Sequence, residues 1–60
     1  MTDFAKDIYQ RVIAECGLEQ DSKDWRDYEK AKRFIYENYP NLEYFRYHKA
    51  VKLISEYLGV

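Results

Sequence analysis

Two residue types able to do covalent chemistry occur once each, as Cys16 and His48. A cysteine nucleophile needs a base within hydrogen-bond reach, a third group to orient that base, and donors for the oxyanion. Cys16 ends an apolar helical stripe, where a thiol ordinarily behaves as an inert small hydrophobe. His48 falls among charged residues, and no third group is suggested by the spacing, so the chain is read as non-enzymatic. Asp21, Asp24 and Asp27 recur at every third position, like the start of a calcium loop. The glycine and the later bidentate glutamate of such a loop are missing. These acids are read as favourable charge at a helix N-terminus. The two glycines, Gly17 and Gly59, sit at helix ends, which leaves no phosphate-binding loop. No metal or cofactor is expected.

The richest stretch is 41–52, NLEYFRYHKAVK, where Tyr44, Phe45 and Tyr47 alternate with Arg46, His48, Lys49 and Lys52. Bases interleaved with rings can stack on and neutralise a nucleic acid. The same residue types also make protein interfaces, which favour Tyr, Trp, Phe and Arg. The chain has seven Tyr, three Phe and one Trp in 60 residues, more rings than a tiny core can cover. A nucleic-acid binder should carry a clear basic excess, whereas this chain has a net charge of −1. Protein binding is therefore the expectation. Phe45, Arg46, Lys49, Lys52, Tyr36 and Arg33 are the candidate contacts, with Phe45 as the apolar anchor and Tyr36 placed beside Trp25. DNA or RNA binding by the third helix is the alternative, with Lys30 or Lys32 flanking the patch.

Three helical segments must position these residues. Phe4, Ala5, Ile8, Tyr9, Val12, Ile13 and Cys16 share one side of a helix turning about 100° per residue, over about 3–16. Thr2 or Asp3 can cap its start and Gly17 its end, and Asp7 can pair with Arg11 four residues on. A second stripe, Trp25, Tyr28, Ala31, Ile35 and Tyr39, predicts a helix over about 23–38, capped by Asp21 or Ser22. Glu29–Arg33 and Arg33–Glu37 are its expected surface pairs, and Pro40 ends it. A third arc, Tyr44, Tyr47, Ala50, Val51, Ile54, Tyr57 and Leu58, predicts a helix over about 42–58 with Asn41 as its cap. On this wheel Tyr9, Tyr28, Tyr44 and Tyr47 edge the core. Phe45 projects among Lys49, Lys52 and Glu56, and Leu42 and Leu53 lie at the margin.

The expected architecture is a single all-α domain over 1–60, a small three-helix bundle with helices two and three adjacent. Charge is uneven: eight acids against four bases in 1–29, net −4, and six bases against three acids in 30–60, net +3. Glu19, Asp21, Asp24 and Asp27 form a second candidate surface, one able to meet a basic groove. No apolar run approaches the roughly 18 residues that span a bilayer. The opening MTDFAKDIYQ lacks the pattern of a signal peptide, and one cysteine cannot form an internal disulfide. A cytoplasmic chain without membrane attachment is expected. Domains this small often gain stability by dimerising, so a homodimer is possible. In size and style the chain resembles small bacterial or phage accessory proteins that act as inhibitors or adaptors by covering a partner's working surface.

Overall fold

The computed structural model describes residues 3–60. Helix α1 spans Phe4–Cys16, α2 Trp25–Asn38 and α3 Tyr44–Leu58. Each helix packs on both others. Phe4 meets Tyr39 edge to face at 6.0 Å, so α2 runs back along α1. At the start of α1 and α3, Lys49 donates to Asp3 at 2.7 Å. At their far ends the Tyr57 hydroxyl donates to the Leu18 carbonyl at 3.4 Å. Thus α1 and α3 run in the same direction and α2 runs against both, an all-α three-helix bundle.

The core is aliphatic. Ala5, Ile8, Val12, Leu18, Ala31, Ile35, Ala50, Val51, Ile54 and Leu58 are buried, and none of them is aromatic. The alanines let the helix backbones approach closely, and the isoleucines, valines and leucines fill the space between. Tyr9, Tyr28, Tyr47 and Tyr57 lie half-buried around this core with Phe34 and Tyr39. Tyr9 and Tyr57 meet edge to face at 6.0 Å across the α1–α3 seam.

The helix starts differ from expectation. Asp3 caps α1 and accepts from the amides of Ala5 and Lys6; Thr2 lies outside the described residues. Asp24, not Asp21 or Ser22, caps α2. The reason is that the connection before it serves α3. The amides of Asp21 and Lys23 donate at 2.8 Å to the carbonyls of Tyr57 and Leu58. Those carbonyls belong to the last turn of α3, which has no intrahelical donors for them. Reaching them puts Asp21 and Lys23 at φ of 58° and 56°, the left-handed region. Leu18 closes the same end from inside, at 6% exposure. Glu43, not Asn41, stands at the α3 cap, and it makes no side-chain cap bond. Its carboxylate is taken by Arg46 at 2.9 Å.

Candidate functional site

Late helix starts move two rings out of the core. Long helical side chains lean toward the N-terminus of their helix. Tyr44 is the first residue of α3, so its ring leans past the end of the helix. It is 78% exposed and stacks on His48 at 6.0 Å. The expectation that Tyr44 edges the core is thus corrected. Trp25 is likewise the first residue of α2 and is 62% exposed, touching Tyr28 edge to face. It lies at the opposite end of α2 from Tyr36, so those two rings are not neighbours. Tyr36 is 76% exposed and Phe45 61%.

The six candidate contact residues do not form one surface. Arg46 sits between two rings, with its guanidinium 5.7 Å from the Phe4 ring centre and 5.2 Å from that of Phe45. The same guanidinium pairs with Glu43. Lys49 pairs with Asp3 at 2.7 Å, and this hydrogen bond, with the α1 amides, holds the Asp3 carboxyl below its ordinary pKa. Two of the three bases around Phe45 are therefore already matched by acids, and only Lys52 makes no ion pair among the described residues. Of these pairs, Arg46–Glu43 is local in sequence, whereas Lys49–Asp3 could not be seen in the sequence pattern because the two residues lie 46 positions apart.

Arg33 and Tyr36 belong to a different place, the α2–α3 seam. One depression there is lined by Arg26, Glu29, Lys30, Lys32, Arg33, Tyr36, Glu37 and Tyr47. A second, at the α2–α3 turn, is lined by Tyr36, Tyr39, Pro40, Leu42, Tyr44 and Tyr47. Tyr36 and Tyr47 line both, so the two are adjacent. Glu29 pairs with Lys32 at 3.8 Å rather than with Arg33, which reaches Glu37 at 4.0 Å. On α1 the pair is likewise shifted by one turn. Arg11 bonds Glu15, not Asp7, and also donates to the Tyr39 hydroxyl at 2.8 Å. Both partners hold the Arg11 proton more tightly.

Cys16 and His48 are far apart. Cys16 closes α1 near the Leu18–Tyr57 end, while His48 is in the second turn of α3 at the other end. Partial burial pushes the Cys16 thiol pKa up, which works against a thiolate. Among the described residues no group of three or more His, Cys, Asp or Glu converges as a metal site. Of the acids at the α1–α2 connection, only Asp24 has a structural task for its carboxylate among the described residues. Asp24 caps α2 and, bonded by the Arg26 amide, is held below its usual pKa. Asp21 lends its amide to α3. No helix among the described residues is long and apolar enough to cross a membrane. No protein-family model, curated protein or solved structure matches the chain.

Proposed function

We propose that this chain is a small non-enzymatic module that binds another protein and acts by covering part of that partner's working surface. One observation carries this reading. The core is built without a single ring, while Phe4, Trp25, Tyr36, Tyr44 and Phe45 stand 41–78% exposed. Exposed rings of this kind are the residues that anchor interfaces, because a ring brings a large apolar area with few rotatable bonds. The chemistry around them favours protein over nucleic acid. Arg46 and Lys49 are matched by Glu43 and Asp3. A phosphate backbone would have to displace those carboxylates, whereas a protein partner can stack on Phe4 and Phe45 with the pairs intact.

Affinity capture from a bacterial lysate, with and without nuclease, tests the reading. A discrete protein retained at near-equal amount after nuclease is the expected result. Bound material that disappears with nuclease would transfer the assignment to nucleic acid. A second copy of the chain as the partner would register as a concentration-dependent mass in sedimentation.

A further inference from the structure

Two of the three bases on α3, Arg46 and Lys49, are engaged, but those on α2 are not held in the same way. Arg26, Lys30, Lys32 and Arg33 face Glu29 and Glu37 along one depression, a local excess of two positive charges on a chain of net charge −1. Their ion pairs are long: 3.5 Å from Arg26 to Asp24, 3.8 Å from Lys32 to Glu29 and 4.0 Å from Arg33 to Glu37. The Arg26 and Arg33 side chains are 93% and 81% exposed. Lys30 makes no ion pair among the described residues. Loose, solvated pairs of this kind contribute little, so incoming carboxylates can replace them at small loss. The contrast is with Lys49–Asp3 at 2.7 Å and Arg46–Glu43 at 2.9 Å.

The cationic depression adjoins the ring-lined one at the α2–α3 turn, with Tyr36 and Tyr47 lining both. There Tyr36 and Tyr44 are the two most exposed of the large apolar side chains. Leu42 and Pro40 add apolar wall. The hydroxyls of Tyr36, Tyr44 and Tyr47 make no hydrogen bond within the described residues, which leaves them available to a ligand's main chain. The length also suits a short segment. From Arg26 to Tyr36 the helix rises about 15 Å at 1.5 Å per residue, a distance about five extended residues cover.

We propose that the α2–α3 groove binds a short linear acidic segment of a partner protein, with its carboxylates on the α2 cations and an apolar residue seated among Tyr36, Tyr44 and Tyr47. This inference rests on the protein-binding reading and names the chemistry of the partner. The observation that selects a peptide over a nucleic-acid strand is the pair of acids inside the groove. Glu29 and Glu37 would oppose evenly spaced phosphates at two points along the groove, whereas a peptide can place its acids between them.

The test is selection from a displayed library of random dodecapeptides at low salt, followed by affinity measurement on purified variants. The expected winners carry clustered Asp or Glu next to a leucine, proline or aromatic residue. Their affinity falls by about tenfold or more, as for loss of an interface anchor, in Tyr44→Ala and in Lys30→Glu/Arg33→Glu. It is unchanged in Gln10→Ala, an exposed change on α1. The groove variants change exposed side chains, and an unchanged melting curve confirms that they fold. Winners with no acidic bias, or affinity that survives both groove variants, overturn the groove assignment. If such winners instead fail on Phe45→Ala, the protein-binding reading stands and only its location moves. If no peptide is enriched and a labelled oligothymidylate binds with steep salt dependence, both the groove assignment and the reading beneath it fall.

Discussion

Leu18 belongs by sequence to a polar connection, GLEQDS, yet it is only 6% exposed and joins the core. Leu18→Ala tests whether that connection is part of the folded unit. The substitution removes about three buried methylene-sized groups at about 0.8 kcal/mol each, or about 2.4 kcal/mol. A rigid site would add a cavity term, as in the range of about 2.7–5.0 kcal/mol known for Leu→Ala in a well-packed core. A connection can settle inward more readily than a helix, so the expected loss is about 2–3 kcal/mol. A chain of 60 residues has a total stability of only about 3–9 kcal/mol, so the variant should be visibly weakened. At about 4–8 °C per kcal/mol for a domain of this size, the midpoint falls by about 8–24 °C. Thermal melting followed by far-UV circular dichroism, with urea unfolding as the second probe, reads it. A loss below about 0.5 kcal/mol, the ordinary effect of a surface change, would show that the connection is not docked. The hydrogen bonds from Asp21 and Lys23 to the end of α3 would then lose their support as well.

Phe45→Ala should cost less than about 1 kcal/mol, whereas truncation of a core Phe costs about 3–5 kcal/mol, a value that would remove Phe45 from the surface. Gly59 has φ +79°, and an added Cβ would lie 3.3 Å from the Asp21 carboxylate, so Gly59→Ala should lower stability by about 1–2 kcal/mol; an unchanged urea midpoint would refute this. The Asp3 and Asp24 carboxyls have folded pKa values below the ordinary 3.8, so their contribution is full above that value and is lost as pH falls through the lowered one. Melting temperature should therefore be insensitive to these groups at neutral pH and fall on the acid side. Asp24→Asn, which keeps the capping oxygen but cannot take up the proton, should shallow that fall, and an identical acid limb would contradict the capping role. The Cys16 thiol, with its pKa raised by burial, should react with a disulfide reagent at mildly alkaline pH more slowly in the folded chain than in urea; equal rates would show it to be unshielded.

The architecture was legible because it rests on local pattern. The stripes Phe4–Cys16 and Tyr44–Leu58 fall within a few residues of α1 and α3, and Gly17 and Gly59 adopt the left-handed conformation that ends a helix. What could not be read depends on contacts distant in sequence. Asp21 looked like a cap for α2 because its side chain can cap, but its backbone amide is drawn to Tyr57 at the end of α3. That long-range bond delays α2 until Asp24 and leaves Trp25 overhanging. Tyr44 satisfies the wheel, but as the first residue of α3 it stacks on His48 and stays outside the core. The pairing of Lys49 and the separation of Arg33 from the α3 bases were hidden for the same reason. Lys49 is matched by an acid from the opposite end of the sequence, and Arg33 belongs to another seam. Wheel reasoning placed Phe45 outside because its direction opposes Ala50 and Ile54, a relation internal to one helix.

The most direct measurement compares capture by the wild-type chain with capture by Phe45→Ala, Tyr44→Ala and Trp25→Ala, all after nuclease and all matched for melting temperature. The account predicts that the wild type retains a discrete protein and that at least one ring variant, folded as well as the wild type, loses it. Equal capture by all four chains, or capture that nuclease abolishes, would contradict the claim that the rings left out of this core are there to hold a protein partner.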